Sequence, residues 1–228
     1  MTISYIGSAT AEAASVALPS HQAGDLLVVT LGMLSSYAVP TIPAGWSLAY
    51  NRAFGSNRVV GVGYKTAASS GETSGTWTGA NLIIASVYRD SDNVLALHCP
   101  NSTSVASTFV RYSGIGAVTA LSAGIAQRMQ QSAGWVIGAA CIVENSAGAA
   151  SAPSGMVNRA NIQGASAGEL TQHDTNGAVS SWSQTDIASS STANSVSVVC
   201  EILDTGVAKS AGGGGGLLLS GMQGGIRV

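Results

Sequence analysis

The chain has 228 residues, 46% of them hydrophobic and only 9% charged, with a formal net charge of −2. That length buries a core without help from metal or disulfide, and the hydrophobicity excludes a chain disordered by composition. The lack of a basic stripe argues against a nucleic-acid partner, and apolar runs of about nine residues are half of what a membrane-spanning helix needs.

In chain order, the clearest strand signals are Asp25–Leu34, Trp46–Phe54, Arg58–Thr66, Asn81–Arg89, Trp135–Val143 and Ser195–Leu203. Each is a short β-rich run bounded by Gly, Pro, Ser or Asn. Gly55-Ser56-Asn57 is a tight-turn signal, so Trp46–Thr66 reads as a hairpin. The best helical candidate is Leu121–Gln131, and it carries a glycine. Many strands with few helices predict a sandwich or barrel.

The chain also repeats itself. Gly24–Leu34, Pro43-Ala44-Gly45-Trp46, Asn51-Arg52-Ala53, Trp77 and the apolar strand Leu82–Tyr88 have counterparts in the second half. These are Gly134–Val143, Pro153-Ser154-Gly155-Met156, Asn158-Arg159-Ala160, Trp182 and Val196–Leu203, roughly 105 to 110 residues later. Each half supplies about four strands, and one such sheet alone leaves an apolar face uncovered. The expected architecture is therefore all-β: one jelly-roll-like sandwich over residues 1–206, with halves at about 22–92 and 134–204. Trp46, Trp77, Trp135 and Trp182 are its expected core plugs.

Residues 207–228 form a glycine-rich C-terminal arm. Gly212, Gly213, Gly214, Gly215 and Gly216 precede Leu217, Leu218, Leu219, Met222 and Ile226. Backbone without side chains approaches another chain closely, so these residues are the expected partner contacts.

Three cysteines, Cys99, Cys141 and Cys200, cannot all pair within one chain. They are expected as buried, reduced thiols, consistent with assembly in a cytoplasm. No basic region followed by an apolar one opens the chain, so no secretory signal is expected.

Motifs for chemistry are weak. Gly164-Ala165-Ser166-Ala167-Gly168 fits G-x-S-x-G, but that elbow needs a strand–turn–helix setting and no helical run follows. His173-Asp174 is the only adjacent His–carboxylate pair, and it reads as a polar loop; on a strand the two side chains would point to opposite faces. His21 and His98 are isolated, and Asp90-Ser91-Asp92 reads as a turn rather than a calcium loop. Neither a catalytic residue, nor a metal, nor a cofactor is expected.

The run Gly24-Asp25-Leu26-Leu27-Val28-Val29, Pro43-x-Gly45-Trp46, Gly63-Tyr64-Lys65, Thr76-Trp77 and Tyr88-Arg89 resembles a module of tailed-bacteriophage virion proteins of minor-tail, fibre and head-decoration type. The resemblance covers about residues 22–92 and, more loosely, Pro153–Met156 and Trp182. It implies a structural component of a virion, most naturally a capsid decoration or cement protein. The alternative is a tail-tip or fibre module that recognises the host surface through loops such as Ser35–Ile42, Ala67–Thr73, Pro100–Ser107 and Asn145–Pro153. The implied partners are other virion proteins and copies of itself, with a trimer as the expected oligomer, assembled in the host cytoplasm.

Overall fold

The computed structural model describes residues 2–34, 39–54, 58–99, 105–106, 110–112, 131, 133–143, 151–165, 168–182, 185–187 and 195–209. All regular structure among them is β: β1 (Ser4–Ala11), β2 (Leu26–Met33), β3 (Ser47–Phe54), β4 (Arg58–Thr66), β5 (Leu82–Arg89), β6 (Asn93–His98), β7 (Val105–Ala106), β8 (Val110–Tyr112), β9 (Trp135–Val143), β10 (Val157–Gly164), β11 (Gly168–Asp174), β12 (Thr185–Ile187) and β13 (Ser195–Ala208). Residues 121–130 of the expected helix and residues 210–228 of the arm lie outside the described residues.

Two antiparallel sheets face each other. The first runs β1-β5-β2-β4-β3, the second β10-β11-β9-β13-β6, with β7 on β13; β8 and β12 pair separately. Inward side chains from both sheets make one core, including Leu26, Val28, Val62 and Ile84 from the first and Trp135, Ile137, Leu170 and Val198 from the second. The outer faces are covered too. Trp46 and Trp77 lie over Leu27, Val29 and Leu31, and Trp182 and Met156 lie over Val136, Ala140 and Ile142. All four tryptophans are thus core residues. Because β2 and β9 are covered on both sides, they read as continuous apolar runs rather than alternating ones.

The repeat is the plan of the fold. Written from the other end, the second sheet is β6-β13-β9-β11-β10, which matches β1-β5-β2-β4-β3 strand for strand. The turns before β3 and β10 match as well. Trp46 N–H donates to Pro43 O at 3.1 Å and Met156 N–H to Pro153 O at 3.0 Å, while Gly45 and Gly155 take φ of 80° and 84°. A register shift falls between Leu48 and Tyr50 in one half and between Asn158 and Ala160 in the other. One offset of 110 residues carries Gly45 to Gly155, Leu48 to Asn158 and Gly63 to His173. The Asn-Arg-Ala match is consequently a coincidence: Arg159 corresponds to Ala49, not to Arg52. The halves pack as a pseudo-dimer, with β1 against β10, β5 against β11 and β2 against β9. Each half stays within one sheet, so the jelly-roll refinement does not follow from this connectivity; the two-sheet sandwich does.

All four sheet edges are irregular. Register shifts interrupt the pairings of β1 (Tyr5/Gly7), β3, β10, and β6 with β13 (Asp204/Ala208).

The cysteine expectation fails. Cys99 and Cys200 form a disulfide with Cα atoms 4.1 Å apart, and Cys141 remains a buried thiol. The cause is register. His98 pairs with Glu201, so the next residues along, Cys99 and Cys200, meet across the same ladder.

Candidate functional site

The residues behind the phage resemblance hold the fold together. Asp25, fully buried, accepts from Arg89 through two bonds (Nε to Oδ1 2.8 Å, NH2 to Oδ2 2.6 Å) and from Gln22 N–H at 2.9 Å. The start of β2 is thereby clamped to the end of β5 by a bidentate pair. Trp46 and Trp77 stand edge to face at 5.6 Å and donate to Thr73 O and Ser74 O. Lys65 pairs with Glu72, and the hydrogen bond from the Lys65 ammonium holds the Glu72 carboxyl below its ordinary value. Gly63 is required by Trp77: a Cβ there would stand 2.3 Å from the indole.

A second polar group sits between the sheets. Asp174 Oδ2 accepts from Tyr88 OH (2.9 Å) and from Arg159 Nε (2.7 Å), and the Arg159 guanidinium lies 4.0 Å over the Tyr5 ring. Ser86 and Gln172 are hydrogen-bonded alongside. Burial, followed by the neighbouring Asp174 charge, pushes the Tyr88 phenol well above its ordinary value. Four residues from four strands thus tie β1 and β5 of one sheet to β10 and β11 of the other.

The expected candidates fare as follows. Ser166 lies outside the described residues, but Gly164 pairs with Gly168 across a hairpin between antiparallel β10 and β11. That is not the strand–turn–helix a nucleophile elbow needs. Both glycines have packing reasons instead, since Cβ atoms there would lie 2.9 Å from Leu82 and 2.2 Å from Leu34. His173 and Asp174 sit on β11, not in a loop, and face opposite ways: Asp174 inward to Tyr88, His173 outward, 3.1 Å from Thr171 Oγ1. Asp90 makes a turn, accepting from the backbone N–H groups of Asp92 (2.8 Å), Asn93 (3.0 Å) and Thr2 (2.9 Å). Burial alone would raise its carboxyl, but those three donors hold it below the usual value. His21 Nδ1 lies 2.7 Å from Pro19 O. Burial lowers His98. The ten arm residues fall outside the described chain.

The sequence did not point to the outer face of the second sheet. There the two halves part company. Where the first sheet has Val59, Gly61 and Gly63 on β4, the second has Glu169, Thr171 and His173 on β11. Through the ladders of β2 and β9, Ile83 and Val87 correspond to Ser197 and Glu201. All five polar residues are buried. Asn161 Nδ2 donates to Glu169, and Gln131 N–H donates to Glu201 Oε1 at 3.3 Å. Gln131 also exchanges hydrogen bonds with the Asp204 backbone, so this polar bed receives the connection leading into β9. β9 separates β11 from β13, and Glu201 is two residues out of line with His173, which places their Cα atoms about 12 Å apart at the usual strand spacing and rise. Among the described residues no three His, Cys, Asp or Glu gather around a common metal position.

No family model, no curated protein and no solved structure matches the chain.

Proposed function

We propose that this chain is a structural component of a bacteriophage particle, a capsid decoration or cement protein or a similar surface accessory, acting through protein–protein contacts without catalysis. One observation carries the reading. The residues that resemble the tailed-phage module, Asp25, Trp46, Gly63, Lys65, Trp77 and Arg89, are all engaged in holding the sandwich together. A module whose motif is scaffold fits a part that is built into an assembly better than one that turns over a substrate. The low charge fits burial of much surface against neighbours. β13 extends through Ala208, which pairs with Asn93, so the expected arm shortens to the residues that follow Lys209, and these would supply such contacts.

The test is a particle lacking residues 212–228 of this chain. Purified on a density gradient, it should have lost most of the protein, while wild-type particles carry it in many copies. Absence of the protein from wild-type particles overturns the reading. One to a few copies per particle, with binding of the purified protein to host cells, favours the tail-tip receptor-binding module instead.

A further inference from the structure

We infer that the Cys99–Cys200 pair is a redox-operated staple on the edge of the second sheet. Closed, it pins β6 and the start of the following connection to β13. Open, it releases that edge while the rest of the sandwich stays folded. The inference stands independently of the particle reading.

The register supports it. β6 pairs with β13 from Asn93↔Ala208 to His98↔Glu201, and the disulfide takes the next rung. Pairing with β13 is next described at Val105↔Val196. The bond therefore sits at the end of the β6 ladder, one rung past its last pair. The two strands it joins differ in what else holds them. β13 is paired on its other side with β9 over Ser195↔Ile142 to Ile202↔Trp135, so it remains in place without the bond. β6 is a six-residue strand that, among the described residues, pairs with one neighbour. Opening the bond leaves it free to fray and to uncover Leu95 and Leu97, which are 1% and 7% exposed.

Access is graded in the same sense. Cys99, packed against the core, is half-buried while Cys200 is 1% exposed, so in the opening step a small thiolate attacks the sulfur of Cys99, the less buried residue. It bonds to that sulfur, and Cys200 leaves as a thiolate and takes up a proton. A second thiolate then displaces Cys99, giving the dithiol and one small-molecule disulfide. The reverse exchange closes the staple. Cys141, fully buried on β9, is the internal reference: it remains a thiol in both states.

The experiment uses the full chain equilibrated with reduced or oxidised glutathione, then alkylated in denaturant and weighed. One alkyl group is expected after oxidation and three after reduction. Hydrogen exchange of the native protein should accelerate at least tenfold over residues 93–98 on reduction and change less than twofold over 26–33 and 82–89. Cys99→Ser should show the fast pattern under both conditions. Three alkyl groups after oxidation, acceleration shared by the first sheet, no acceleration at 93–98, or a redox response surviving in C99S would each overturn the inference.

Discussion

Gly63→Ala isolates what the first half requires of its own sequence. The added Cβ would meet Trp77 at 2.3 and 2.8 Å and Val29 at 3.0 Å. Trp77 has nowhere to go: it is fully buried, donates to Ser74 O at 2.9 Å and stands against Trp46. Overpacking costs about 1–3 kcal/mol, and a contact this short belongs at the upper end, about 3 kcal/mol. For a chain of this length that lowers the melting temperature by about 6–12 °C. The backbone is not the obstacle, because the equivalent position in the second half carries His173. Gly61→Ala is the control. Its Cβ would meet nothing closer than 3.3 Å, so it should cost under about 1 kcal/mol. Trp77→Leu alone should cost about 3 kcal/mol by loss of buried surface. Combined with Gly63→Ala it should cost less than the sum by about 1–3 kcal/mol, since the shortened side chain removes the clash. Urea melts followed by near-ultraviolet circular dichroism measure all four variants. Equal costs for G63A and G61A, or strict additivity in the double variant, would refute the reasoning.

Gly45→Ala and Gly155→Ala should each cost about 1–2 kcal/mol, because both residues hold positive φ in matching turns. Their effects should add within about 0.5 kcal/mol in the double variant; costs differing several-fold would break the equivalence of the two halves. Asp174→Ala leaves the Arg159 charge, largely buried, without its carboxylate and removes the Tyr88 acceptor, so a loss of about 3–5 kcal/mol is expected by chemical denaturation; a loss below about 1 kcal/mol would show that the pair is solvated. The raised Tyr88 phenol predicts alkaline weakening. Unfolded tyrosine loses its proton near pH 10 while folded Tyr88 keeps it, so stability is fully present below that pH and declines above it. Tyr88→Phe should flatten the decline in melts between about pH 9 and 11, and an unchanged slope would assign it elsewhere.

The interior strands were legible because burial on both faces writes itself as long apolar runs. Arg58–Thr66 and Trp135–Val143 match β4 and β9 end to end. The edge strands were not legible. β1 and β6 carry shifted registers; SYIGSATA is mostly small residues, and the apolar run in NVLALH is only four residues long, too short to stand out as a strand. β11 was obscured for another reason. GELTQHD is buried throughout, and several of its polar side chains find their partners on other strands: Gln172 Oε1 accepts from Ser86, Asp174 from Tyr88 and Glu169 from Asn161. Local composition therefore reads as loop. The disulfide is not legible in the sequence because cysteines 101 residues apart meet only through the β6–β13 register. The repeat is legible in its turns and tryptophans, but its alignment is not, since the chance Asn-Arg-Ala match lies three residues out of the structural register.

The irregular edges matter most for a protein with so little charge. Two open sheets offer four borders along which a neighbour's strand could zip, and most soluble proteins keep such borders apart partly by mutual repulsion. This chain has nine basic and eleven acidic residues in 228, so Coulombic spacing between copies is weak. Kinked borders oppose that zipping by shape instead, and shape is indifferent to salt. Copies held side by side at high local density would accordingly resist fibre-like pairing in concentrated electrolyte as well as in dilute buffer, and straightening one border, as by deleting Ala49 from the β3 irregularity, would turn crowding into aggregation.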